Sequence, residues 1–176
     1  MTHGRNMSLR VARMKDHGRH GRQRFAVVAE FGSRQAEVTG HAVWAEPHYA
    51  ESDLTNGAAL SGAIAIIHRG GGTSFFDKAR RAQAAGAVAA VVVNSDDRPF
   101  LAHHEPHEPA ADILIPVVCV PYGAGEELLT QEASAAGISL CCDPSEMLTV
   151  SAATARRPPP PRALLRRPDP AAFPQL

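Results

Sequence analysis

Two short apolar runs with an amphipathic segment between them constrain the fold of this chain most strongly. AIAIIH (63–68) and AVAAVVVN (87–94) each have the length and composition of a strand that is buried on both faces. Ser74 and Asp77 have the spacing of a capping box, which predicts the start of a helix, and Gly86 is a natural helix stop. Strand, helix and strand in so short a span predict a right-handed, parallel βαβ unit.

Further strand-like segments lie on both sides of this unit. They are RFAVVAEF (24–31), AEVTGHAVWA (36–45), ILIPVVCVP (113–121), ISLCC (138–142) and EMLTVSAA (146–153). Pro116 lies inside the third of these runs and predicts an edge strand or a bulge, because proline cannot donate to a strand ladder. A second helix is predicted to open at Gly123–Gly125. Loops are predicted over 46–61 and over 95–112, and the second loop is polar and acidic.

The charge of the chain is unevenly distributed along its 176 residues. Residues 1–24 carry a net charge of +6, residues 25–155 carry −10 and residues 156–176 carry +4, so the whole chain is neutral. Segments of low hydrophobicity and high charge bury too little surface to fold. The pattern therefore predicts a disordered basic arm over 1–23, a folded domain over 24–155 and a disordered, Pro- and Arg-rich tail over 156–176.

Composition excludes several classes of protein. No apolar run reaches the roughly 18–20 residues that a membrane-spanning helix needs. The basic residues at both ends have no interleaved aromatic residues, so we expect no nucleic-acid partner. The basic start has no apolar stretch after it, so we expect no secretory leader. Three cysteines are too few for a disulfide scaffold, and no motif predicts a cofactor.

The core resembles the protease-associated (PA) domain in three stretches. AEPHYAESDLTN (45–56) is similar to the segment before the family's first core strand. Residues 62–94 contain Gly, an apolar strand, Arg-Gly, a Ser-Phe-x-x-Lys helix with Ala-Gly-Ala, and a second strand that ends in Asn. ILIPVVCVPYGAGEELL (113–129) is similar to the family's Ile-Pro-Val-Val strand and the helix after it. The resemblance implies a mixed α/β fold of the swivelling β/β/α type, with a partly closed β-barrel or sandwich and two flanking helices.

The residues that carry the resemblance are expected to build the fold. They are Gly62, Arg69, Gly70, Ser74, Phe75, Lys78, Gly86, Asn94 and Pro116. We expect Arg69 to satisfy loop carbonyls at the end of its strand and Lys78 to keep its head free to snorkel. Gly62 should permit a tight entry to its strand, and Gly86 should allow a left-handed turn.

The family often has a cysteine near the position of Glu51 and a second one just before the helix, where this chain has Gly72 or Thr73. Both cysteines are therefore absent here. Their absence, with the expected absence of a leader, favours a cytoplasmic location, because disulfides persist in oxidising compartments. The usual location of the family's members favours a secretory or endomembrane compartment instead.

Three clustered histidines are the most distinctive polar feature. His103, His104 and His107 would share one face of a helix, where they could bind zinc or nickel. Pro106 and Pro109 argue against a helix, and the alternative interpretation is a solvated acidic loop. Histidines in such a loop could also respond to pH.

Other candidates for chemistry are weaker. The glycine run 70–72 could cradle an anion, but it lacks the Lys-Ser/Thr ending of a phosphate loop and favours a plain turn. Cys119, Cys141 and Cys142 are interpreted as structural. The sequence contains neither a Gly-x-Ser-x-Gly elbow nor a zinc-binding His-Glu-x-x-His motif, so it predicts no catalytic residues.

The resemblance implies a non-catalytic module that binds protein or peptide segments, or that recruits or covers a partner such as a protease. The exposed features that could do so are the loops at 46–60 and 95–112. One alternative is that the chain is a fragment of a larger PA-containing protease, receptor or ubiquitin ligase. A second is a metal- or pH-responsive loop built on the histidines. The residues leave the oligomeric state open.

Overall fold

The computed structural model describes residues 7–18, 21–34, 37–130, 135–143 and 145–150. The strands in chain order are β1 Met7–Asp16, β2 Gln23–Val28, β3 Glu37–Gly40, β4 Ala42–Trp44, β5 Ile64–His68, β6 Ala89–Val93, β7 Val117–Val120, β8 Ile138–Cys141 and β9 Met147–Val150. The helices are α1 Gly57–Leu60, α2 Phe75–Ala84 and α3 Tyr122–Leu128, with one 3-10 turn at Ala110–Asp112.

The strands form one sheet that nearly closes into a barrel. Their order is β3-β8-β1-β2-β7-β6-β5-β4, and β9 pairs with β1 outside this path. The strands β4, β5, β6 and β7 are parallel to one another, and the remaining pairs are antiparallel. Only His41 separates β3 from β4, although these strands stand at opposite ends of the order. The mixed α/β fold with a partly closed barrel is therefore confirmed.

Alternating residues of the parallel strands pack into two cores, which explains why these strands are apolar throughout. In β5, Ile64 and Ile66 pack with the side chains of β6, β7 and β8 that fill the barrel. Ala65 and Ile67 point the other way and pack with Phe76 of α2. Successive side chains of a strand face opposite sides of the sheet, so burial on both sides removes the usual alternation of polar and apolar residues.

The prediction of a disordered arm over residues 1–23 was wrong for residues 7–16. Residues 7–16 form β1, which pairs with β2, β8 and β9. Leu9 and Met14 are buried in the two cores, whereas Arg10 and Lys15 are exposed. Exposed basic side chains therefore alternate with buried apolar ones on both faces of this strand, and the domain begins before residue 24. The predicted tail over 156–176 lies outside the described residues.

The prediction of an edge strand or bulge at Pro116 was also wrong. Strand β7 lies between β2 and β6 inside the sheet. Pro116 precedes its first paired residue, so the missing N–H is not needed in the ladder, and its carbonyl accepts a hydrogen bond from the Ala90 N–H at 2.9 Å. Helix α3 begins at Tyr122 rather than at Gly123.

Candidate functional site at the carboxyl edge of the parallel strands

The four parallel strands β4 to β7 place their carboxyl ends along one edge of the sheet. The segments that leave this edge are residues 45–56, 69–74 and 94–112, together with the start of α3. We call this region the carboxyl edge. Ligands of open α/β sheets bind outside the carboxyl ends of the strands, so this edge is the first place to look for a site.

Buried Lys78 of α2 fixes two loops of the carboxyl edge. Its side chain is fully buried, and its ammonium group donates to the carbonyl oxygens of Tyr49 and, at 2.8 Å, of Gly70. Burial lowers the pKa of Lys78 to about 8, while Glu51 acts to raise it and Arg81 to lower it further. The expectation that this head would snorkel to solvent was wrong, because the two carbonyls supply the hydrogen bonds that water would give.

Arg69 and Asn94 fix the third loop. The Arg69 guanidinium donates to the Asn94 side-chain oxygen at 3.1 Å and lies 4.9 Å from the ring centroid of Phe100. The amide group of Asn94 donates to the Asp96 carboxylate and to the Arg98 carbonyl, both at 2.9 Å. Arg69 was expected to bind loop carbonyls directly. It instead binds a buried asparagine, and this asparagine contacts the loop.

The start of α2 is tied to the acidic loop. Ser74 caps the helix, as predicted, since its Oγ accepts a hydrogen bond from the Asp77 N–H at 3.1 Å. The same hydroxyl donates to a carboxylate oxygen of Glu108 at 2.6 Å. Phe75, the next residue, packs against Phe100 with ring centroids 5.6 Å apart. The loop 95–112 is therefore anchored to the domain rather than simply solvated.

The glycine run lets an aromatic ring pack closely. Gly70, Gly71 and Gly72 all have positive φ, and a Cβ at Gly71 would lie only 2.5 Å from the Cβ of Tyr49. The glycine run therefore forms a turn and leaves room for Tyr49 to pack closely, which agrees with the interpretation as a plain turn. Gly62 and Gly86 have φ of +74° and +84°, consistent with the tight turns expected there.

The structure places the three predicted histidines in different surroundings. His103 Nδ1 lies 3.0 Å from the Glu30 carboxylate. The ring of His104 packs edge-on against Phe31, 6.1 Å between centroids, and His107 is exposed. Across the described residues, no three His, Cys, Asp or Glu side chains come close enough together to hold a metal ion. The geometry thus gives the metal hypothesis no ligand cluster.

The three cysteines are free thiols. Cys119 is buried in the core between the sheet and α2, and burial raises its pKa to about 12. Burial also raises the pKa of Cys142, which packs in the barrel core. Both thiols are therefore protonated at neutral pH, in agreement with a structural role.

One Ser–His pair resembles part of a catalytic set. Ser139 Oγ lies 2.6 Å from His17 Nε2 and 3.0 Å from Thr39 Oγ1. A nucleophilic serine needs a base that a third group orients. The adjacent Asp16 carboxylate binds Arg24 at 3.1 Å instead. In the part of the chain that the structure describes, we find no complete catalytic set.

The sequence did not reveal an aromatic patch at the carboxyl edge. It consists of Trp44, His48, Tyr49, His68 and Tyr122, and this name is kept below. His68 is central, with ring centroids 4.4 Å from Trp44, 5.6 Å from Tyr49 and 6.3 Å from both His48 and Tyr122. Tyr49 and Tyr122 are 44% and 39% exposed, although large apolar side chains are normally covered. Four separate segments supply these rings, so no local motif could have indicated them.

The electrostatics of the patch keep its central ring neutral. Burial lowers the pKa of His68, and His48 and Lys78 lower it further, while the Glu126 carboxylate acts to raise it. His68 therefore stays uncharged at neutral pH. The patch can accordingly offer aromatic faces to a ligand without presenting a positive charge at its centre.

This architecture matches a known family. The PA domain model matches residues 27–128, which is more than half of the chain. The chain belongs to the PA domain family. The match covers the carboxyl edge from Trp44 to Glu126, so the aromatic patch lies within the PA domain. No helix of the described residues combines the length and apolar character that crossing a membrane would require.

The curated relatives are much longer proteins. The chain is 36% identical over 119 residues to signal peptide peptidase-like 2 from Arabidopsis thaliana, covering 64% of this chain and 21% of that protein. It is 34% identical over 100 residues to ER degradation-enhancing alpha-mannosidase-like protein 3 from Xenopus laevis, covering 51% and 11%. The chain thus spans about a fifth or less of the length of these relatives.

Solved structures support the fold. A zinc aminopeptidase from Bacillus subtilis superposes with a TM-score of 0.54 and 20% identity, over 83% of this chain and 34% of that one. An aminopeptidase from Aneurinibacillus sp. strain AM-1 gives a TM-score of 0.53 with 18% identity, over 85% and 34%. At such identities the likeness shows the fold alone, and it confirms the PA-type barrel.

Proposed function

We propose that this PA domain is a non-catalytic module that binds a protein or peptide segment at its carboxyl edge. The observation that carries the proposal is the aromatic patch, in which Tyr49 and Tyr122 are partly exposed and the loop of Tyr49 is held in place by buried Lys78. Exposed tyrosine and tryptophan side chains are enriched among the residues that dominate binding energy.

The rigidity of the loops supports binding as the reason for this exposure. The Asn56 amide donates to the Trp44 carbonyl at 2.7 Å, and its side-chain oxygen accepts from the Glu46 N–H at 3.0 Å. Arg81 binds the carbonyl of Ala50, a buried non-glycine residue at a φ of +48°. A surface that is fixed before binding loses little conformational entropy when a ligand arrives.

A second candidate is that the domain performs this role within a larger enzyme or receptor. The observation that favours it is coverage, since the chain spans 21% of the Arabidopsis relative and 34% of the Bacillus aminopeptidase. In that setting the carboxyl edge would recruit a substrate segment or cover the active site. The chemistry at the edge is the same in both candidates.

Peptide selection on the purified protein tests the proposal. Peptides enriched from a random display library should bind the wild-type chain, and Tyr122→Ala should weaken their binding about tenfold or more, because truncating an exposed aromatic anchor costs about 2 kcal/mol. Isothermal titration measures the affinity. Leu114→Ala is the matched control, since Leu114 is 72% exposed and lies just before β7, at the opposite end of the strand from Tyr122.

The control should leave the affinity unchanged. If selected peptides bind Tyr122→Ala and Tyr49→Ala as tightly as wild type, the aromatic patch is not the binding site and the proposal fails. Thermal melts of both variants separate a lost contact from a lost fold.

A further inference from the structure

The charges around the aromatic patch are negative on the solvent side. Tyr122 and Glu126 are four residues apart on α3 and so share a face of that helix, and Glu51 follows Tyr49 by two residues in the loop after β4. Glu126 also acts on the central ring, His68, and Glu51 acts on Lys78. Both glutamates are exposed, and the loop at 45–56 contains acidic residues and no Lys or Arg. The segments that carry Tyr122 and Tyr49 therefore each contribute an exposed carboxylate near these rings.

The cations nearby are already committed. Lys78 is fully buried and donates hydrogen bonds to two carbonyls. Arg69 donates to Asn94 and lies over the ring of Phe100. Arg81 donates to the Ala50 carbonyl. The two rim glutamates consequently have no hydrogen-bonding cation at the patch among the described side chains, and a ligand can supply one.

The rings are of the kind that attract a cation. Trp and Tyr faces bind Lys and Arg head groups through their π electrons, and exposed sites of this kind contribute about 0.5–1 kcal/mol. Carboxylates beside the cation add charge-assisted hydrogen bonds. Tyr122 stacks against His68 and shares a face of α3 with Glu126, so one cationic side chain can contact a ring of the patch and a carboxylate together.

From this juxtaposition we infer that the aromatic patch binds the cationic side chain of an Arg or Lys in a peptide, with Glu51 and Glu126 at its rim. The inference rests on the proposed function and adds the chemical class of the ligand. A neutral or acidic segment of the same shape should bind more weakly, because it leaves the carboxylates unpaired and their repulsion uncompensated.

A pair of probe peptides tests the charge requirement. The peptides Ala-Ala-Arg-Ala-Ala and Ala-Ala-citrulline-Ala-Ala have nearly the same shape and differ by one positive charge. Trp44 is the single tryptophan of the chain, so its indole N–H resonance and its fluorescence report on the patch directly. The arginine peptide should bind at least about fivefold more tightly than the citrulline peptide.

Two variants locate the effect. Glu126→Gln should reduce the preference for arginine to about twofold or less, because it removes a rim carboxylate and leaves the rings. Glu37→Gln is the matched control, because Glu37 lies close to Ala87 and Val88, which precede β6 at the opposite edge of the parallel strands. This control should keep the full preference.

The outcomes separate the inference from the proposed function. Equal affinity for both peptides, with binding lost in Tyr122→Ala, overturns the inference and leaves the proposed function standing. If neither peptide moves the Trp44 resonance while library peptides still bind and depend on Tyr122, the inference is again overturned. Loss of that dependence on Tyr122 overturns both.

Discussion

The two loops that the sequence offered as interaction surfaces behave differently in the structure. The loop at 46–60 points Tyr49 and His48 outward while Lys78, Arg81 and Asn56 hold its backbone. The loop at 95–112 carries the more conspicuous histidines and acids, yet it turns Phe100 and its neighbours towards the core. The comparison teaches that the direction of the apolar side chains, rather than the polarity of a loop, decides which loop presents aromatic rings to solvent.

The largest expected effect comes from removing the cation beneath the first loop. Lys78→Met should lower the free energy of unfolding by about 2–4 kcal/mol, because it removes the buried donor that the part-buried carbonyls of Tyr49 and Gly70 share. Urea denaturation measures the loss. Arg80→Met is the control on the same helix, since its ion pair with Asp77 is exposed and should contribute under about 0.5 kcal/mol.

Hydrogen exchange sharpens the same test. In Lys78→Met the amides of 46–56 should exchange faster than in wild type, whereas the amides of 95–112 should not change. Equal acceleration in both loops would show that the two loops share one support, and the comparison would then fail.

Two asparagine variants distinguish the loops with a smaller expected loss of stability. Asn56→Ala and Asn94→Ala each remove buried or half-buried hydrogen bonds and should cost about 1–3 kcal/mol. Only Asn56→Ala should shift the Trp44 indole resonance, because its amide binds the Trp44 carbonyl. Two-dimensional NMR of both variants measures this. A shift of similar size in Asn94→Ala would contradict separate anchoring of the two loops.

The smallest expected effect concerns pH. His68 faces His48, Tyr49, Tyr122, Glu126 and Lys78, and burial lowers its pKa. It therefore stays neutral as pH falls to the ordinary histidine value near 6.5 and gains its proton only at lower pH. The added positive charge should weaken the arginine peptide by about two- to fivefold between about pH 7.5 and a pH well below the ordinary histidine value of about 6.5.

The citrulline peptide is the control for this titration, because its uncharged side chain should be affected less by the new charge. Titrations that follow the Trp44 resonance at the two pH values measure both affinities. An arginine peptide that binds equally well at both values would contradict the role of His68 at the centre of the patch.

Local patterns predicted a large part of the fold. The two apolar runs, the Ser74 cap and the Gly86 turn all appear in the structure as β5, α2 and β6. These features depend on residues within a few positions of one another, so the sequence contains them directly. The PA resemblance then supplied the barrel, which local patterns alone could not.

Other features depended on partners that are distant in sequence. Strand β1 was missed because its many basic residues look like a disordered segment. Met14 and Leu9 are buried only when β1 pairs with β2, β8 and β9. The sequence around Lys78 is typical of a surface lysine, but its side chain is buried because two loop carbonyls accept its hydrogen bonds. Such outcomes follow from hydrogen bonds that form only when the chain is folded.

The sequence by itself determined the family, the βαβ unit and the turns, because strand length, helix capping and glycine placement are local properties. Only the tertiary structure decided the aromatic patch. Its rings come from β4, from the loop after it, from the end of β5 and from the start of α3. The parallel strands bring the ends of these elements to one edge of the sheet, and no spacing of residues along the chain predicts that the rings lie together.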